Sequence, residues 1–131
     1  MEVTVIVERG ADGSYSCYAQ ESFKYFGLAG YGSTVEEAKK DLLEGLEEIK
    51  MLEKEQGREV PPMEFTYKYD MGSFFNYFSC LNITQLAKRA GMNPSLLRQY
   101  ASGRATASEK QYARLRDAVH ELGRELAEVE L

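Results

Sequence analysis

The chain has 131 residues, room for one ordinary domain or two small ones, with 44% hydrophobic, 28% charged and 11% aromatic residues and only three prolines. That composition excludes disorder and collagen-like repetition, and no apolar run approaches the roughly 20 residues that span a bilayer. The net charge of −5 is unevenly placed: residues 1–70 hold eight Lys and Arg against fifteen Asp and Glu, and residues 71–131 hold eight against six. The first apolar segment, Val3 to Val7, is too short for a signal peptide, so a cytoplasmic chain with no membrane partner is expected. Cys17 and Cys80 stand 63 positions apart without a CxxC partner, and His120 is the single histidine. These are too few ligands for zinc, so no metal and no cofactor are expected, and both cysteines read as small apolar fillers.

In chain order, Val3, Val5 and Val7 alternate with Thr4, Ile6 and Glu8, the period of a strand. Asp12-Gly13 signals a turn and Tyr15 to Gln20 alternates again, predicting a hairpin over residues 2–20. A third strand is expected near Phe26 to Tyr31. Its glycines, Gly27, Gly30 and Gly32, lack the spacing and the Lys-Ser/Thr ending of a phosphate loop and serve turns or close packing instead. Thr34-x-x-Glu37 is a capping box that opens a long helix with an apolar stripe of Val35, Ala38, Leu42, Leu46, Ile49 and Leu52, ending near Gly57. Another face carries Glu37, Asp41, Glu44, Glu48 and Glu55, either a solvated stripe or a surface for a basic protein. Pro61-Pro62 breaks the chain, and Met63 to Asp70 reads as a fourth strand.

From Ser73 the strand pattern disappears, and residues 71–80 are expected to connect two domains, 1–70 and 81–131, with Ser73 to Phe78 a short helix or connector. Asn82-x-x-Gln85 caps a helix ending at Gly91; Asn93-Pro94 starts another that ends by Gly103; Ser108-x-x-Gln111 caps a last, long helix. Helix, tight turn and helix over residues 83–102 is the spacing of a helix-turn-helix DNA reader. In its second helix Leu96, Leu97, Tyr100 and Ala101 cluster on one side, while Ser95, Arg98, Gln99 and Ser102 fall at i, i+3, i+4 and i+7 on the other. That polar row has one cation and no carboxylate, so it can approach phosphates; Arg can bond guanine bidentately and Gln adenine. Arg104 and Lys110 are placed to fix the register on phosphates, and Gln85 and Asn93, at the helix starts, complete the candidate DNA-binding set. Between positions 80 and 116 there are seven cations and a single anion, Glu109.

The last helix spaces Tyr112, Leu115, Val119, Leu122, Leu126 and Val129 as a heptad seam. Its first half belongs to a local core; its second half is a candidate contact between two copies, which would set two recognition helices about 34 Å apart. No serine or cysteine has a plausible histidine partner in its domain, so no enzyme is expected.

Two stretches resemble a known family. "GYGSTVEEAKKDLLEGLEE" (30–48), preceded by "DGSYSCYA" (12–19), resembles the N-terminal domain of HicB-type antitoxins. "AGMNPSLLRQYASGRATASEKQYARLRDAVHELGREL" (90–126) is similar to the C-terminal DNA-binding domain of HicB proteins of the lambda-repressor-like (Xre/Cro) class. Together they cover most of the chain in the family's order, and some other HicB proteins carry a ribbon-helix-helix domain instead. The resemblance implies an α+β chain: a small reduced RNase H-like sheet with a flanking helix, then an all-α helix-turn-helix domain. It implies binding and masking of HicA, a small basic toxin that cleaves mRNA, with Glu37, Asp41, Glu44 and Glu48 as candidate contacts, and repression of the operon through operator DNA by a homodimer or higher oligomer. RNase H chemistry requires several carboxylates around two metal ions; Glu2 and Glu8 lie only at the ends of the first strand and Asp12 in a turn, which fits a binding scaffold better than a nuclease. The alternative is a one-component helix-turn-helix regulator whose N-terminal domain senses a small ligand.

Overall fold

Alternating valines place one side of the first strand against a helix. In the computed structural model, which describes residues 1–131, β1 (Glu2–Arg9) pairs antiparallel with β2 (Tyr15–Ala19), Val7 facing Cys17. The turn between them uses Gly13 at φ +85°, and Asp12 Oδ1 accepts from the Ser14 amide at 3.0 Å. Strand β3 (Ala29–Gly32) adds antiparallel to β2, and β4 (Glu64–Tyr69) adds parallel to β1, so the mixed sheet has the order β3-β2-β1-β4. Helix α1 (Val35–Glu55) is the connection that a parallel β4 demands. It lies mainly over β3 and β2. Its Val35, Ala38, Leu42 and Leu46 are buried against Val3, Val5, Val7, Tyr15, Cys17 and Leu28, one continuous apolar layer.

Several expectations shift here. The third strand starts at Ala29, not Phe26, because residues 21–28 leave the hairpin as a loop; the Glu21 carboxylate takes the Thr4 amide at 3.0 and 3.1 Å in place of a strand partner. The apolar stripe of α1 stops short: Leu52 is 60% exposed, since the sheet no longer reaches the last helical turn. At that end a charged side chain goes inward instead. Glu53 is buried and holds Arg58 through two bonds, 2.6 Å to Nε and 3.2 Å to Nη2, while the Arg58 guanidinium lies 4.0 Å over the Tyr25 ring.

The Arg58 bond holds the Glu53 carboxyl below the ordinary glutamate range. A carboxyl whose folded pKa is depressed stabilises the fold above its unfolded pKa, about 4.3, and that contribution is lost as pH falls through the folded value. Urea unfolding at stepped pH is expected to show Glu53→Gln losing this part of the acid-induced fall; a slope equal to wild type below pH about 4.3 would remove the pair from the acid response.

The chain divides into two compact units, Met1–Asp70 and Met71–Leu131. The second is all-helical: α2 (Met71–Tyr77), α3 (Ile83–Ala90), α4 (Pro94–Ser102) and α5 (Glu109–Glu128). Residues 71–80, expected as a connector, contribute to this unit's core. Met71 and Phe75 are buried with Leu86, Ala87, Met92, Leu97, Leu115 and Ala118, so α2 supplies two of the eight buried residues of this core. Cys17 is buried, but Cys80 is exposed and so is no filler; it lies in the turn after α2, where the half-buried Leu81 packs on the core in its place. The whole chain is thus α+β, a four-stranded mixed sheet and five helices, and no helix is long and apolar enough to cross a membrane.

Candidate nucleic-acid interface

Three residues separate α3 from α4, and each has a separate task. Gly91 adopts φ +67°, which L side chains rarely tolerate, and so reverses the chain after α3. The Met92 amide donates to the Ala87 carbonyl at 2.9 Å and its side chain is buried, which pins the turn to the core. Asn93 caps α4, its Oδ1 accepting from the Leu96 amide at 3.1 Å, and Pro94 follows at the first helical position. Gly103 at φ +80° closes α4, with the Arg104 amide donating to the Gln99 carbonyl at 2.9 Å.

Helix α4 is therefore held at both ends and along its inner side. Leu97 is wholly buried, and Leu96, Tyr100 and Ala101 are half-buried. All eight candidate DNA contacts, Gln85, Asn93, Ser95, Arg98, Gln99, Ser102, Arg104 and Lys110, are exposed. Two of them are partly committed to the helix itself: Asn93 as its cap, and Ser102, whose hydroxyl donates to the Gln99 carbonyl at 3.1 Å.

Arg98 is the centre of the face. Its Nη1 donates to Thr84 Oγ1 on α3 at 2.8 Å and its Nη2 to Ser95 Oγ at 3.4 Å. Both partners are neutral hydroxyls, so the charge stays uncancelled, and a guanidinium with five N–H donors retains three for a base edge or phosphate. The two bonds also restrict the rotamers of a long side chain before any ligand arrives, which lowers the ordering cost of binding.

Thr84 did not stand out in the sequence. A bond between two helices follows no spacing rule within either, so nothing in the linear pattern marks it. Ion pairs also temper the basic block: Arg89 pairs across helices with Glu125 at 2.6 Å, and Arg116 with its neighbour Asp117 at 3.2 Å. Both anions belong to α5 and lie beyond the stretch in which cations outnumber anions seven to one.

On α1 the acidic candidates Glu37, Asp41, Glu44 and Glu48 are all exposed, but they are not equivalent. Glu37 accepts from the Ser33 amide at 2.8 Å and from its hydroxyl, and these bonds lower its pKa below the usual carboxylate value. Asp41 Oδ2 accepts from the Tyr31 amide at 2.9 Å. The first is a capping residue and the second takes an amide at the outer edge of β3; Glu44 makes an exposed ion pair with Lys40 at 3.9 Å, which leaves Glu48 as the member without such a partner. A shallow depression beside them is lined by Glu36, Lys39, Lys40, Leu43, Glu44 and Glu47, with Leu43 42% exposed.

His120 is exposed, and no group of three or more His, Cys, Asp or Glu side chains is placed to hold a metal ion. Compared with protein-family models, curated proteins and solved structures, the chain finds no match.

Proposed function

We propose that the chain is a HicB-type antitoxin that binds operator DNA through a helix-turn-helix formed by α3 and α4. The observation that carries this reading is the carboxylate-free outer row of α4, in which an exposed, unneutralised Arg98 is flanked by Ser95, Gln99 and Ser102 over a buried Leu97. Phosphate repulsion is absent there and bidentate donors are present, the two needs of a major-groove reader. The first unit, read as a reduced RNase H-like sheet with α1 on one side, would mask a small basic HicA toxin through the outer surface of α1, where Glu48 is exposed and where Glu44 and Glu47, paired to Lys40 and Lys50, line a depression with the exposed Leu43. Leu126 and Val129, 61% and 57% exposed at the end of α5, are where a second copy would join to present two recognition helices. In this reading the protein is a cytoplasmic repressor and a stoichiometric inhibitor, not an enzyme.

Gel shifts across a salt series test the DNA half. Arg98→Ala and Gln99→Ala are each expected to cost roughly 1–3 kcal/mol and to relax sequence preference, whereas Lys110→Ala should weaken all sequences alike and flatten the salt slope. Equal effects from all three would reject the assignment of the row. Co-purification with the product of an adjacent small basic reading frame tests the antitoxin half. Operator binding that responds to a metabolite, with no protein partner, would identify a ligand-sensing regulator instead.

A further inference from the structure

The two edges of the sheet are treated differently. At β3 the Tyr31 amide is occupied by Asp41. At β4 the outward backbone groups of Phe65 and Tyr67 have no comparable cover. The Glu64 amide donates inward to the Met1 carbonyl at 2.9 Å, so by the alternation of a strand Thr66 and Lys68 also bond toward β1, while the backbone groups of Phe65 and Tyr67 point away from it. An edge of six residues without proline or bulge is a template for another strand.

Because α1 lies mainly over β3 and β2, Phe65 and Tyr67 share its side of the sheet yet stay only half-buried, with Lys39 Nζ reaching from α1 to 4.1 Å from the Tyr67 ring centre. On the other side Glu64, Thr66 and Lys68 are exposed, and neither Glu64 nor Lys68 takes part in an ion pair within the protomer.

We infer that β4 is an interface with a second copy of this chain, the two strands pairing antiparallel about Thr66 into one eight-stranded sheet. The sequence Glu64-Phe65-Thr66-Tyr67-Lys68 is self-complementary in that register. Glu64 of each copy faces Lys68 of the other, twice by symmetry, and Phe65 faces Tyr67, also twice. The register agrees with the backbone as well: Phe65 and Tyr67, whose groups point outward, become the hydrogen-bonded pairs, and Thr66 meets its counterpart at a close, non-hydrogen-bonded position on the twofold axis. Sliding either strand by one pair breaks the match: one way sets Glu64 opposite Thr66, the other sets Glu64 opposite Asp70. A lysine on an edge ordinarily repels a second strand; a glutamate at the facing position turns it into an attraction. This interface is separate from the end of α5 and does not depend on the antitoxin reading.

Sedimentation of the full chain tests it by charge exchange. Glu64→Lys and Lys68→Glu, each setting like charges face to face, are expected to halve the mass of the wild-type particle, and the double variant E64K/K68E to restore it. In a Cys80→Ser background, Thr66→Cys is expected to cross-link to itself with oxidised glutathione, while Lys68→Cys, whose counterpart lies at the far end of the paired strands, does not. Unchanged mass in the single variants, a double variant that stays at half mass, or a missing Thr66→Cys cross-link would each overturn the proposal, and the first of these would leave the edge to a different protein.

Discussion

Gly30→Ala is expected to unfold the sheet unit at a temperature at least about 10 °C below wild type. Gly30 lies in β3 with its Cα turned toward α1, and a methyl group there would collide with the Ala38 carbonyl oxygen and with the Leu42 nitrogen and Cα. Those are backbone atoms of a helix, so no rotamer change relieves the clash. The helix must lift, and Val35, Ala38 and Leu42, all fully buried, lose contact with the sheet as it does. Overpacking usually costs about 1–3 kcal/mol when side chains can give way; with rigid backbone in the path the cost is expected at or beyond the upper end, about 3 kcal/mol. A 70-residue unit holds only about 4–10 kcal/mol in total, and each kcal/mol moves the midpoint of so small a unit by about 4–8 °C. Gly45→Ala is the control: that glycine sits inside α1 with nothing within 4 Å of a new Cβ, so the same substitution should stabilise by about 0.5–1 kcal/mol. Thermal melts of the two variants check the pair. If Gly30→Ala melted like wild type, α1 would not be seated on β3 as described.

Leu97→Ala should remove the proposed recognition surface without touching it. Leu97 is wholly buried and is one of eight residues in the core of the helical unit. Truncating it deletes apolar contacts and leaves a cavity, a loss of roughly 2–5 kcal/mol, comparable with the whole stability expected of a 61-residue unit, about 3–9 kcal/mol. Amide exchange across α3, α4 and α5 is expected to accelerate sharply, and DNA binding to fail at temperatures where Arg98→Ala still folds but binds weakly. The contrast separates scaffold from contact. Retained exchange protection with lost binding in Leu97→Ala would mean that the inner and outer sides of α4 had been assigned the wrong way round.

Much of this was legible in the linear pattern because it depends on neighbours in sequence. The caps at Thr34, Asn82, Asn93 and Ser108 each accept a bond from an amide three residues on. The left-handed turns at Gly91 and Gly103, the valine alternation of β1 and the division of α4 into Leu97 and Arg98 sides follow from the same local periodicities. Periodicity fails where an element outlasts the surface it packs on, as at Leu52, and where a flanking segment is recruited to complete a small core, as with Met71 and Phe75.

The sequence by itself determined most of the helices and strands, where the capped helices start, and that α4 has one greasy and one polar side. Propensity, capping and side-chain alternation act over three or four residues and are written in order along the chain. Only the tertiary structure decided the rest: that Thr84 steadies Arg98, that Asp41 is tied to Tyr31, that Glu125 offsets Arg89, and that β4 lies at an edge of the sheet. Most of these join separate elements or, like the edge, depend on which strands end up adjacent, and such proximities exist only once hydrophobic burial has brought distant segments together.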